Sequence, residues 1–395
     1  MSKRVSVVSI LNLVDKKLLE GLAAETNVDF NVKKLSGNIV FKLLLMSILE
    51  DSKVSLRVME KLFVSNKFKC IAGIEATESI RYNSLSERLS VIKVSFFEKI
   101  FASLIDKATA QLGSNVDKQT IRQFDSTSIS LSGKLLQKGM TNGLKNKQNE
   151  HRHKQIKFTV GLYSNLPASI SFYNEQKHLA EDEVLKQEIL KTCIGDNEVV
   201  VFDRGIKSRQ TFKEFNEQSI DFVTRINPTK SVKIIQQNPL PAIVESETLT
   251  IISDEIVHLF YAKKMQLKTP FRLIKAISKS SNETIWFLTN INHLEAIEIT
   301  EIYKQRWDIE VFFKFIKQHL HFKHFFSYNE NGIKVMMYMT MIAAVLLLLY
   351  KKLNNLNGYK FVKMDFIEEL DREIIKEIVV LCGGDPTKHP LFNNA

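Results

Sequence analysis

Cysteine is scarce in this chain. Cys70, Cys193 and Cys382 are the only three in 395 residues. Their wide separation fits neither a disulfide framework nor a zinc-ligand pattern, which suits a reducing cytosol. Proline is missing from the first 115 residues, and glycine is sparse there. Without those two breakers, and with helix-period apolar residues in 35–49 and 85–105, that region is expected to be helical. Long apolar runs are also lacking. The most hydrophobic stretch, VMMYMTMIAAVLLLLY at 335–350, has 16 residues. That is short of the roughly 20 needed to span a bilayer, so a buried core helix is expected and no membrane partner. The opening MSKRVSVVSILNLVDKK has no long apolar core and no small-residue cleavage site, so no signal peptide is expected. Repeats and low-complexity tracts are absent. His319, His321 and His324 cluster, as do His151 and His153, but neither group has cysteine partners or an HExxH pattern. Acidic residues are in deficit, 44 against 55 Lys and Arg, giving a net +11 and a pI near 9.3. That balance points to a polyanionic partner such as nucleic acid.

The most informative segment is YKQRWDIEVFFKFIKQ, where Tyr303, Arg306, Glu310 and Lys317 follow the spacing Y-x2-R-x3-E-x6-K. On one α-helix these four side chains share a stripe about 60° wide, with Lys314 beside it. Ile302, Ile309, Phe313, Ile316 and Leu320 form a second, apolar stripe that can dock on a core. An acid flanked by Arg and Lys on a cleft-facing ridge suits a metal-bound carboxylate with phosphates alongside. A solvated charged face is the plainer alternative.

Two further acids stand upstream. Asp125 lies in TIRQFDSTSISLSG, whose Ile, Phe, Ser and Thr content reads as a strand, where an Asp is disfavoured without a task. Asp203 ends the apolar run 199–202 in NEVVVFDRGIKS, a place where open α/β sheets carry functional groups. A turn cap at Asp125 and an N-cap at Asp203 are the structural alternatives. Residues 132–157 carry Lys134, Lys138, Lys145, Lys147, Arg152, Lys154 and Lys157 against Glu150 alone. The glycines among them mark a loop that either contacts a nucleic-acid backbone or is simply solvated.

At RWDIEVFFK, FDSTS and FDRG the chain resembles the DDE transposases of bacterial insertion sequences, and more narrowly the insertion sequence four family with its Tyr-Arg-Glu-Lys helix. The likeness covers roughly residues 118–350. It implies an α/β fold with a ribonuclease H-like catalytic core, a mixed five-stranded sheet with helices. It also implies a β-rich insertion and an N-terminal helical domain. Carried over, Asp125, Asp203 and Glu310 are the catalytic carboxylates and the ligands of two Mg²⁺ ions, for which Mn²⁺ can substitute. Tyr303, Arg306 and Lys317 are likewise carried over as DNA-phosphate contacts; Lys314, by its place beside the helical stripe, and Lys145, Lys147 and Arg152, by the charge of the basic loop, are expected to bind DNA with them. Trp286, in ETIWFLTN, corresponds to a tryptophan that stacks on a flipped base in one branch of the family; an ordinary core aromatic is the alternative.

The resemblance therefore implies cut-and-paste transposition in a bacterial cytoplasm, close to the nucleoid. The partners are double-stranded DNA, as terminal inverted repeats and target, and a second copy of the chain. A nuclease of the same fold without strand transfer, and a non-catalytic DNA-binding derivative, are the rival readings. The expected organisation is an N-terminal DNA-binding domain over 1–115, core segments over 116–226 and 296–350, the insertion over 227–295 and a helical tail over 351–395. Expected strands lie near 120–131, 156–163, 167–175, 198–203 and 220–226, with helices near 181–191 and 208–217.

Overall fold

The computed structural model describes residues 4–50, 55–113, 120–131, 133–142, 153–192, 195, 197–240, 244–262, 265–388 and 392. The chain divides into two compact units, Met1–Ser114 with Phe313–Ala395, and Asn115–Phe312.

The first unit is helical: α1 Val7–Leu11, α2 Lys16–Thr26, α3 Gly37–Leu49, α4 Leu56–Phe63, α5 Asn66–Ala72, α6 Tyr82–Val91 and α7 Val94–Leu112. The first five begin at Ser6, Asp15, Ser36, Ser55 and Ser65, whose side-chain oxygens each accept the backbone N–H three residues on. Such caps satisfy donors that a helix start leaves open. The helical period expected over 85–105 breaks at Ile92–Lys93, between α6 and α7.

The second unit holds β1 Thr120–Ser130, β2 Met140–Asn142, β3 His153–Tyr163, β4 Leu166–Tyr173, α8 Glu181–Lys191, β5 Glu198–Phe202 and α9 Arg209–Glu217. It continues with β6 Asp221–Ile226, β7 Val232–Gln237, β8 Leu249–Ala262, β9 Met265–Ser278, β10 Thr284–Thr289, α10 Ala296–Lys304 and α11 Trp307–His319. The boundary between the units falls inside α11. The last two helices, α12 Glu330–Leu353 and α13 Tyr359–Leu381, belong to the first unit. By length and composition α12 could cross a membrane, and it outruns the apolar run that marked it in the sequence. Yet 89% of its most apolar window is buried, and it packs against α1, α3, α6, α7 and α13.

The strands form one mixed, ten-stranded sheet among the described residues, in the order β2-β3-β1-β5-β6-β10-β9-β8-β7, with β4 on β3. The five strands expected from periodicity are all present. The sheet is twice that size because β2 at one edge and β7 to β10 on the other side extend it. The segment expected as an insertion is thus continuous with the core sheet: Trp286 pairs with Ile226 and Phe287 with Arg225. β1, β5 and β6 run parallel, and the remaining neighbours are antiparallel.

Alternation splits the core between the two faces. Phe124, Val200, Phe202, Phe222 and Leu288 pack with Phe212 and Phe215 of α9. Ile121, Val199, Val201, Val223 and Phe287 pack on the other face, with Ile299 and Ile302 of α10. A buried ion pair fixes the approach to α10. Arg272 Nη2 lies 2.7 Å from Asp254 Oδ2, and Arg272 Nη1 donates to the Leu294 carbonyl at 2.5 Å. Glu295 and Glu298 then close a capping box over the start of that helix.

Candidate active site

Asp125 and Asp203 meet through strand register. β1 and β5 are parallel neighbours with Phe124 opposite Phe202, so the two aspartates follow as the next residue on each strand. Parallel neighbours are about 4.8 Å apart, and residues at matching register point the same way. Both aspartates share the parity of Ile121, Val199 and Val201, which face α10. Each carboxylate also accepts a local backbone donor: Asp125 Oδ1 takes Ser126 N–H within β1, and Asp203 Oδ1 takes Gly205 N–H in the turn after β5, both at 2.7 Å.

The third acid comes from the helices over that face. Tyr303, near the end of α10, sets its ring edge-on to Phe287, with 5.4 Å between centroids. Two guanidinium groups flank the ring, Arg306 at 5.7 Å and Arg225 at 6.0 Å from its centroid. Arg306 Nη2 donates to Glu310 Oε1 at 2.5 Å, one helical turn on. Gln123, two residues before Asp125 and buried, donates to the carbonyl of Gln305 at 3.5 Å.

Charge couples these groups. Burial pushes the Tyr303 hydroxyl up; Arg306 and Arg225 pull it back, and Asp203 adds to the rise. The Arg306 guanidinium is pulled down by burial, but Glu310, Tyr303 and Asp125 more than offset this and hold it above its ordinary value. Arg225 goes the other way, lowered by burial and by the neighbouring Arg204 and Arg306. Charge thus links Arg306 to Glu310, Tyr303 and Asp125, and Tyr303 to Asp203.

The helical stripe has a different construction from the one expected. Tyr303 ends up on α10 and Glu310 on α11, with a break at Gln305–Arg306. There Arg306, Asp308 and Ile309 N–H groups bond three residues back, to Tyr303, Gln305 and Arg306. Tighter i to i+3 bonding keeps Tyr303 and Arg306 stacked while bending the chain. Lys314 and Lys317 lie further along α11, past the end of the second unit; Lys314 is exposed, and Lys317 Nζ sits 5.4 Å from the Phe313 ring centroid. Trp286 is not brought to the carboxylates. It packs with the opposite-face core, and Lys275 Nζ lies 4.9 Å from its ring centroid. Lys145, Lys147 and Arg152 fall outside the described residues.

Two residues in the same charge network escaped the sequence reading. Arg204 was quoted only as part of FDRG, and it donates to Asn227 Oδ1 at 2.9 Å. Arg225 carries a signal in the alternation of DFVTRI, which puts it on the same face as Val223.

Among the described residues, no three acidic, histidine or cysteine side chains stand together as a ready ion-binding group. Glu310 is turned toward Arg306. The donors themselves suit a hard divalent cation. They are carboxylates, two of them at matching register, Asp125 within β1 and Asp203 just past β5, and Mg²⁺ keeps much of its water and needs few protein ligands.

Such a set of acids and cations defines a class of enzyme acting on phosphodiesters with divalent metal. A transposase DDE domain model matches residues 117–346, more than half of the chain, and the chain belongs to that family. It is 27% identical over 258 residues to y4zB of Sinorhizobium fredii, covering 65% of this chain and 67% of that one. It is 25% identical over 277 residues to the protein of insertion sequence element IS4SA from Synechocystis, covering 68% and 72%. For insertion sequence element IS5377 of Geobacillus stearothermophilus the figures are 24% over 267 residues, 67% and 66%. All three relatives are named as transposases. The piggyBac transposase synaptic complex with hairpin DNA aligns with a TM-score of 0.49 at 11% identity, over 98% of this chain and 84% of that one. That likeness leaves the assignment to the sequence family. The chain is a DDE transposase, an enzyme of DNA cleavage and strand transfer whose family uses divalent metal ions.

Proposed function

We propose that the chain performs cut-and-paste transposition of an insertion sequence, with Asp125, Asp203 and Glu310 as its catalytic carboxylates on a ribonuclease H-like core. The observation that carries this reading is the β1–β5 register, which sets Asp125, in mid-β1, beside Asp203, just past the end of β5, on the face that α10 covers, where both couple to the Tyr303–Arg306–Glu310 group.

The three carboxylates would hold two Mg²⁺ ions, or Mn²⁺ in their place, supplying activation of an attacking oxygen and stabilisation of the leaving one. Half-buried Tyr303, its hydroxyl raised above the usual range, stays protonated at neutral pH and donates a hydrogen bond to a phosphate oxygen. Arg306 offers a planar, two-pronged grip on phosphate, while Lys314 and Lys317 act as point charges from their places on α11. The basic residues Lys145, Lys147 and Arg152 are assigned to the same backbone. Water is the first nucleophile and frees a 3′-hydroxyl at the element's end. That hydroxyl then attacks either the opposite strand, breaking it to release the element, or a phosphodiester of target DNA; each attack forms one phosphodiester as it breaks another, without a covalent protein–DNA intermediate. Two ends must be cut together, which calls for a homodimer on paired terminal inverted repeats, working in the bacterial cytoplasm.

The test uses Asp125→Asn, Asp203→Asn and the double variant, with a labelled duplex carrying the element's end. Residues that act as one unit are strongly non-additive, so the double variant should be no worse than either single one. Additive losses would break up the carboxylate unit. Joining of the freed 3′-end to a second duplex by the wild type separates a transposase from a nuclease without strand transfer.

A further inference from the structure

The helical unit holds a second cationic site. A groove of about 470 Å³ runs between α4 and the start of α6, lined by Arg57, Glu60, Lys61, Val64, Arg81 and Tyr82 together with Ser79 and Ile80. Three of these residues are cations and one is an acid. Glu60 is occupied locally, because its Oε2 accepts the Tyr82 N–H at 2.9 Å and so anchors the first turn of α6. Its Oε1 lies 3.7 Å from Arg81 Nη1, and the Arg81 side chain remains 85% exposed. Among the described residues neither Arg57 nor Lys61 has an acidic partner. The Arg57 guanidinium instead rests over the exposed Tyr82 ring, 5.3 Å from its centroid.

We infer that this groove grips the phosphate backbone of duplex DNA, independently of base sequence. Two cations on α4 and a third at the cap of α6, with the one lining acid already engaged, make a local excess of positive charge in the groove. Stacking on Tyr82 holds Arg57 in place before a ligand arrives, so less side-chain freedom is lost on binding. The exposed faces of Tyr82 and Val64 give a sugar edge an apolar neighbour, while the guanidinium groups suit phosphate oxygens. Duplex DNA is the polyanion that a transposase handles, so the inference rests on that reading and adds a contact surface remote in sequence from Asp125, Asp203 and Glu310.

The full chain carrying Arg57→Gln and Arg81→Gln is compared with the wild type by fluorescence anisotropy across a salt series. One duplex carries the element's end; a scrambled duplex of equal length is the control. Both substitutions are at exposed positions, so folding should survive, and a thermal melt checks it. Each phosphate contact contributes about 0.9 to the slope of log affinity against log salt. The double variant should therefore lose close to 2 from that slope and weaken on both duplexes by a similar factor. Unchanged affinity and slope on both would overturn the inference. A loss confined to the end sequence would overturn it too, since that outcome means base reading rather than a backbone grip. Arg57→Lys should restore most of the slope. Cleavage by the wild type, followed on the same DNA, reports separately on the transposase reading, and its absence would leave the binding comparison intact.

Discussion

Arg306→Gln should have two opposite effects. In the structure Arg306 holds Glu310, and the pair is half-sheltered: the side chains are 16% and 37% exposed, with 2.5 Å between Nη2 and Oε1. Arg306 Nε is buried without a hydrogen-bond partner, so the guanidinium is only partly satisfied by protein. Two charges 4 Å apart interact by about 4 kcal/mol at an effective dielectric of 20. Exposure of Glu310 and the desolvation of Arg306 cut the net value to about 1 kcal/mol. That energy must be given up before Glu310 can turn to a metal ion. Removing the arginine removes it, and about 1 kcal/mol corresponds to roughly five-fold. The variant should reach half-maximal cleavage at roughly five-fold lower Mg²⁺. At saturating Mg²⁺ it should still cleave more slowly and bind DNA with a salt slope lower by about 1, because a phosphate contact is gone. The assay is end cleavage titrated with Mg²⁺ at fixed, saturating DNA, with anisotropy alongside. An unchanged or raised Mg²⁺ requirement would refute the idea that Arg306 restrains Glu310. An unchanged salt slope would take Arg306 off the DNA path.

Two further predictions concern the frame around the site. Asp254→Ala leaves Arg272 charged and buried, which should cost about 3–5 kcal/mol in chemical denaturation, whereas replacing both partners with apolar residues should cost far less; equal losses would mean that the pair does not hold the approach to α10. Tyr350 and Tyr173 are both pushed up to about 12, each by burial first, with Glu369 and Glu188 respectively adding to the rise. A tyrosine raised in the folded state contributes stability that is complete below its ordinary value near 10 and lost as pH climbs to about 12. Denaturation at pH 8 and above pH 10.5 should show that fall, and Tyr350→Phe should shrink it; a fall of the same size in the variant would assign it elsewhere.

The strands that carry Asp125 and lead to Asp203 were legible because their signals are local. The run Val199–Val200–Val201–Phe202 is apolar throughout, as a strand covered on both faces must be. The alternation around Asp125 likewise gives its strand. What depends on distant pairing was not legible. β6 meets β10 across some sixty intervening residues, and no periodicity in 227–290 says that those strands join the core sheet. The break at Gln305–Arg306 was hidden because YKQRWDIE has ordinary helix formers; the structure breaks there through i to i+3 bonds and a carbonyl shared with Gln123. Trp286 was assigned by resemblance alone. The alternation of Trp286 with Phe287 puts the two on opposite faces, and Phe287 is the one beneath Tyr303.

The central claim is that Glu310 completes a metal-dependent carboxylate centre with Asp125 and Asp203. Cleavage of an end-bearing duplex by Glu310→Gln, measured in Mg²⁺ beside its DNA affinity, tests it most directly. The account predicts near wild-type binding with cleavage lost. Cleavage at the wild-type rate by that variant would contradict it.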